Sequence, residues 1–452
     1  LDVAQPLPYN QGPAIRCNKA AREEETMADS GLTKEIMAAV DTGFDSQLAF
    51  TRDLTAIPSL RGREAPAQDF MARAYRERGL AVDRWKIDVK DIQHLPGFSP
   101  VMVSYDDAWN VVGSHRPRET KGRSLILNGH IDVVPTGPAD MWVKPPFEPH
   151  VEGNWLYGRG AGDMKAGLAA GMFALDALRR VGYQPAADVY LQSVVEEECT
   201  GNGALACLQR GYRADAALIP EPTSDTLVAA QVGVMWFQVK IKGRPVHVSV
   251  AGTGANAIEA AYPIMAALHE LEAKWNADKH AAFHAVHHPL NFVVSRIEGG
   301  DWTSSVPAWC TFDMRIGIYP GMDLKTVREA VEQTVSSAAR RDSYLSNSPP
   351  EIVYHGFQAE GYVLENAEEP IGVLERAHGA ATGTALEQYA ITGTTDARFF
   401  GLYADIPALV YGPTSESIHG YDERVDIAST RRVTQAIALF VAEWCGLEKL
   451  AA

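Results

Sequence analysis

The spacing of hydrophobic and polar residues changes period several times along the 452-residue chain. "APAQDFMARAYRERGL" (65–80) repeats its apolar side chains every three or four residues and predicts an amphipathic helix. "RSLILNGH" (123–130) is a short apolar run and predicts a buried strand. "MKAGLAAGMFALDALRRVGY" (164–183) predicts a long apolar helix, followed by strands in "DVYLQSVV" and "ADAALIP". Apolar strands alternating with helices predict an α/β domain whose sheet is mainly parallel and covered on both faces.

The pattern changes near residue 232. "FQVKIK" alternates Phe237, Val239 and Ile241 with Gln238, Lys240 and Lys242, as a half-exposed strand does. A helix through "ANAIEAAYPIMAALHELEAKW" places Ile264, Leu268, Leu271 and Trp275 on one face. Strands in "NFVVSRIEGG" and "AWCTFDMRIGIY" follow, then a helix in "DLKTVREAVEQTVSSAAR" and a strand in "EIVYHGF". The order β-α-β-β-α-β is that of a ferredoxin-like α+β unit, one sheet backed by two helices. The α/β pattern then resumes with a helix near 365–382, the strand "IPALVYG" and a helix near 427–447. The expected organisation is a discontinuous α/β domain, 27–231 and 359–452, interrupted by an α+β domain at 232–358. Residues 1–26 lack an apolar signal core and read as a leader or extension ahead of Met27.

Composition narrows the function. Lys plus Arg is 41 and Asp plus Glu 57, a net charge of 41 − 57 = −16, which argues against nucleic-acid or anionic-membrane partners. No apolar run reaches the length of a membrane span. The five cysteines, Cys17, Cys199, Cys207, Cys310 and Cys445, are scattered without a CxxC pair. That suits a reducing cytoplasm and excludes a cysteine zinc knuckle. The histidines of "HAAFHAVHHP" (280–289), among them His284, His287 and His288, read as a polar loop, with metal binding as the lesser alternative.

Four apolar strands each deliver a His, Glu or Asp at the carboxyl end, where open α/β sheets build their sites. "HIDVVP" offers His130, with Asp132 two residues on and on the same side of an extended segment. A carboxylate so placed can accept the imidazole N–H and fix its tautomer, as beside a metal-binding histidine. Asp163 follows the glycine-rich "GRGAG" and precedes a helix, so a helix cap explains it as well as a ligand does. "VVEEECTGNG", "ALIPEPTS" and "YGPTSESIHG" add Glu196, Glu197, Glu198, Glu221 and His419. Two histidines and three carboxylates, one of them bridging, suit two divalent cations. Mixed nitrogen and oxygen donors favour zinc, with cobalt or manganese as alternatives.

With "GHIDVVP", "WLYGRGAGDMKAG", "EEECTGNG", "EPT", "GRPVHVS", "GANAI", "TTDAR" and "SIHGYDE" in this order, the chain resembles a known family. It is that of the di-zinc amidohydrolases and exopeptidases, which includes acetylornithine deacetylase, succinyl-diaminopimelate desuccinylase, aminoacylase and carboxypeptidase G. The resemblance implies that His130, Asp163 and Glu221 hold one metal and that Asp163, Glu198 and His419 hold the other. It further implies that Glu197 is the general base, that Asp132 orients His130, and that Glu196 replaces the family's aspartate. The inserted domain resembles the family's lid and dimerisation domain, whose His247 would reach a partner subunit's site and stabilise the oxyanion. Arg315, on the face of its strand away from the helices, and Arg398 resemble arginines that hold a substrate carboxylate. "SSVP" places Ser304 where many relatives have asparagine, so the desuccinylase and carboxypeptidase substrates do not transfer.

The expected activity is metal-dependent hydrolysis of a linear amide in a small N-acyl amino acid-like substrate, by a cytoplasmic homodimer joined through the lid. The alternatives are a dipeptidase or carboxypeptidase, a deformylase of a heterocyclic amine, and a non-catalytic module that binds no metal. Serine-hydrolase chemistry lacks its G-x-S-x-G elbow.

Overall fold

In the computed structural model, residues 31–451 are described, so the expected extension at 1–26 and its boundary at Met27 lie outside the described residues. The described chain opens with helices α1 (Gly31–Thr55) and α2 (Ala65–Glu77), then strands β1 (Ala81–Lys86), β2 (Trp109–His115) and β3 (Leu125–His130). Next come α3 (Ala166–Arg180), β4 (Val189–Val194), α4 (Asn202–Gln209), β5 (Ala216–Ile219) and β6 (Leu227–Gln231). The middle of the chain forms β7 (Gly233–Lys242), α5 (Ala257–Ala277), β8 (Val293–Gly299), β9 (Trp309–Ile318), α6 (Leu324–Ala339) and β10 (Glu351–Ala359). It closes with β11 (Tyr362–Val363), α7 (Glu368–Thr382), β12 (Gln388–Ile391), α8 (Ala397–Ala404), β13 (Ala408–Val410) and α9 (Ile427–Trp444).

The first sheet runs β1-β2-β4-β3-β5-β13. Strands β4, β3, β5 and β13 pair in parallel, and β2 joins antiparallel to β4. Every residue of β3, β4 and β5 is buried, which is why these strands open on apolar runs; the polar Asn128, Gln192 and Ser193 are buried with them. Helices α1, α3 and α9 pack together, α7 lies on α9, and α2 covers β2. The edge strand β1, with Asp83, Arg84 and Lys86 among its six residues, is largely half-exposed and gave no pattern to read.

The second sheet, β8-β9-β7-β10, is antiparallel throughout. Along β9 the alternation is literal: Cys310, Phe312, Met314 and Ile316 are buried, with half-buried residues between them. Those side chains, Phe237 and Val239 of β7, and Ile264, Leu268, Val327 and Val331 of α5 and α6 form a core distinct from that of the first sheet. One edge of this sheet, β8, leaves Val293 and Ile297 about half exposed. The 280–289 segment is a short turn and loop; His288 is tied to Glu272 of α5 at 3.0 Å and His284 to the Lys279 carbonyl. Among the described residues, no helix is long and apolar enough to cross a membrane.

Candidate metal centre

Strand β3 ends at His130, β4 runs into Glu196–Glu198, and Glu221 stands two residues beyond β5. His419 follows β13, and Asp163 lies just before α3. Because these strands are parallel neighbours, their ends converge. His130 Nε2 lies 3.0 Å from Asp163 Oδ1 and 3.8 Å from Glu221 Oε2. His419 Nε2 lies 3.0 Å from Glu198 Oε2 and 3.4 Å from Asp163 Oδ2. Within each group, His130–Asp163–Glu221 and Asp163–Glu198–His419, the donor atoms all fall within 4.8 Å of one another. Asp163 belongs to both and offers one oxygen to each histidine.

The turn that presents Asp163 is braced from behind. Glu423 Oε1 accepts the backbone N–H groups of Gly162 and Asp163, each at 3.0 Å, while its other oxygen takes Arg159 at 2.5 Å. Both partners of that ion pair are buried. Ser415 crowds Gly162 so closely that a Cβ there would meet its side chain at 2.8 Å. The Asp163 side chain is thus spared from capping α3 and left to face the histidines.

Asp132 behaves differently from the expectation. The His130 Nδ1 group meets the Asp132 backbone carbonyl at 2.9 Å, and the carboxylate stands 3.7 Å away. That carboxylate instead accepts the N–H groups of Glu197 at 3.3 Å and Glu198 at 3.1 Å. One residue therefore fixes the His130 ring by its backbone and the acidic triplet by its side chain.

Within the triplet, Glu196 takes the left-handed conformation, φ 65°. Its carbonyl accepts the N–H groups of Thr200 and Gly201 at 2.9 and 2.7 Å, and its carboxylate turns away to Tyr105 at 3.0 Å. This reversal sends Glu198 toward His419 and leaves Glu197 buried beside the cluster, with Glu196 behind the site. From Tyr105 the bonding continues through Asn202 to Ser99, whose hydroxyl accepts the Gln358 N–H in β10.

The cluster carries an excess of negative charge. Burial would lower the His130 pKa, but the Asp163 hydrogen bond and the charges of Glu221 and Glu197 hold it well above the usual value. Glu198 does the same to His419, aided by Asp163. Burial would raise Asp163, yet its bonds to the two histidines hold it well below the carboxylate range. Glu197 and Glu221 are pushed well up, chiefly by burial and also by neighbouring carboxylates. Burial also raises Asp132, to about 7. Nitrogen and carboxylate donors in two triads with a shared aspartate, in a field that attracts cations, fit a pair of divalent metal ions.

The family model described as peptidase family M20/M25/M40 matches residues 126–443, more than half of the chain. The chain belongs to that family. Over 440 residues it is 29% identical to N-formyl-4-amino-5-aminomethyl-2-methylpyrimidine deformylase of Halalkalibacterium halodurans, covering 92% of this chain and 98% of the relative. It is 28% identical over 402 residues to succinyl-diaminopimelate desuccinylase of Delftia acidovorans, covering 84% and 93%. The fold matches human carnosine dipeptidase 1 with a TM-score of 0.72 at 16% identity, over 91% of this chain and 99% of that one. The protein is an M20-family hydrolase with the family's α/β catalytic architecture and lid, and its relatives act on N-acyl amide bonds.

The remaining expected residues are not among the donors of the two triads. His247 sits exposed on the second sheet's side of the molecule, its ring bonded to Ser249 of its own turn. Arg315 donates to the carbonyls of Asn291 at 3.2 Å and Thr392 at 2.9 Å. Arg398, expected as a candidate for a substrate carboxylate, is fully buried, donating to the Thr395 and Thr200 carbonyls over the Phe399 ring. The sequence reading passed over Glu423, Tyr105 and Asp396, all buried at or behind the site. Glu423 and Asp396 lie inside the quoted motifs "SIHGYDE" and "TTDAR", the signal that could have found them.

Proposed function

We propose that this M20 hydrolase is a two-zinc deacylase that cleaves the amide of a small N-acyl substrate. The observation that carries the proposal is Asp163, which offers one carboxylate oxygen to His130 and the other to His419 at the ends of neighbouring strands. His130, Asp163 and Glu221 would hold one ion and Asp163, Glu198 and His419 the other, with cobalt or manganese as substitutes for zinc. Bound there, the two cations would polarise the amide carbonyl and lower the pKa of a water between them.

Glu197 would be the general base, taking the proton of the attacking water and passing it to the departing amine nitrogen. Its burial keeps competing solvent protons away, and the Asp132 carboxylate fixes its backbone. Arg315 is the candidate for a substrate carboxylate, reached when the lid (232–358) closes about hinges near 231 and 358 and frees it from Asn291 and Thr392. Arg398, buried in the wall, would contribute through the Thr395 loop. The His247 turn and the adjoining 302–305 turn expose Val248, Val250 and Trp302, an apolar surface suited to a second copy of the chain. In such a homodimer His247 would stabilise the oxyanion of the partner's site. The four described cysteines are free and buried, in keeping with a reducing cytoplasm.

The relative matched over 92% of this chain favours a second reading, a deformylase of a heterocyclic amine. A panel of N-formyl, N-acetyl and dipeptide compounds, each assayed with zinc, cobalt and manganese, separates the two. Glu197→Gln should lower kcat by about 10²–10⁴-fold while about two metals per chain remain by elemental analysis. Near-parent turnover of that variant would rule out the mechanism.

A further inference from the structure

Asp396 stands where an aspartate ordinarily caps a helix, at the start of α8. It does not cap; Thr395 Oγ1 accepts the Ala397 N–H instead. The Asp396 side chain is 1% exposed, and neither of its carboxylate oxygens accepts a hydrogen bond from any described group. A carboxylate buried without donors is costly to retain, so a structural role does not account for it. Arg398, two residues on, offsets part of its charge but gives it no hydrogen bond. That guanidinium donates to the Thr395 and Thr200 carbonyls and rests 4.0 Å from the centroid of Phe399.

Asp396 lies beside the metal centre: its charge acts on Glu197 and Glu221, and those of Arg398 and then His130 act on it. The helix start that carries it is pinned to the acidic triplet's loop, because Arg398 donates to the Thr200 carbonyl, two residues past Glu198. Arg315 and Arg398 both donate to backbone carbonyls, and among the described residues neither oxygen of Asp396 is taken up by a donor.

We infer that Asp396 is a specificity residue that receives an N–H donor, an exocyclic amino group or a protonated nitrogen, carried by the amine half of the substrate. The inference rests on the amide-hydrolase reading and sharpens it, because the substrate is then defined by a basic amine half as much as by its acyl group.

Two substrate pairs test it: N-(2-aminobenzyl)formamide against N-benzylformamide, and N-formyl-1,3-diaminopropane against N-propylformamide. In at least one pair the parent should prefer the amino-bearing member by roughly 10- to 100-fold in kcat/KM, the range of a hydrogen bond to a charged group. Asp396→Ala should reduce that ratio by about tenfold or more. Asp396→Asn, which keeps the volume and removes the charge, gives the same readout if the alanine variant does not fold. A parent that hydrolyses the plain formamides without discrimination overturns the role of Asp396 alone, as does a ratio that survives both substitutions. A parent that hydrolyses none of the four with zinc, cobalt or manganese overturns the amide-hydrolase reading and this inference together.

Discussion

Glu196 shows what a single backbone angle does at this centre. Left-handed φ is uncommon for glutamate, and no apolar pattern announces it, so the sequence could not reveal that the triplet splits at its first member. Glu198 was read from the register of the family's acidic triplet, and the fold sets it 3.0 Å from His419. Asp396 was illegible for a different reason: an aspartate before a helix already has an ordinary explanation in capping. His378, remote from the metals, offers a clean electrostatic test. It is buried between Tyr411 and Thr384, and burial, with Arg432 adding and Asp225 and the Ala385 backbone opposing, holds its pKa below the usual value. As pH falls, the unfolded chain takes up this proton first, near pH ~6.5, so the stabilisation is full above that pH and is lost below it. His378→Gln should therefore flatten the fall of Tm between about pH 6.5 and 5. Parallel Tm curves for parent and variant would exclude the assignment.

At the scale of elements, the strands that carry chemistry were the easiest to read, because burial on both faces makes them mostly apolar. Edges and connectors were not. Strand β1 is charged, β6 and β12 are short, and the segment near Ser99 and Tyr105 has no periodicity, yet it bonds to both the acidic triplet and β10. The turn before α3 is another such connector, and it depends on Glu423. Glu423→Ala leaves Arg159 buried and unpaired and strips two N–H groups of their acceptor. A loss of about 3–5 kcal/mol is expected in denaturant unfolding, together with weaker metal retention during dialysis against a chelator. A variant that unfolds and holds metal like the parent would show the brace to be idle.

For the whole molecule, the placement of His247 outside the metal cluster turns catalysis into a question of assembly. If the histidine acts across a dimer, Glu197→Gln and His247→Ala chains, each inactive alone, complement each other when mixed. Random pairing of equal amounts makes half of the dimers hybrid, with one working site of two in each. Activity should then recover to about a quarter of the parent's. Mixtures that stay as inactive as the separate variants would confine His247 to its own subunit or to no role.

The metal centre draws its donors from positions 130 to 419, and β5 must wait for β13, nearly two hundred residues later, before its parallel pairing is complete. The second sheet, by contrast, is built from one uninterrupted stretch, Gly233 to Ala359, around its own core. During synthesis that unit can therefore fold while the first sheet is still unfinished. One of the two proposed metal sites lacks its histidine until residue 419 emerges, so in a nascent chain complete metal loading would be among the last events of folding.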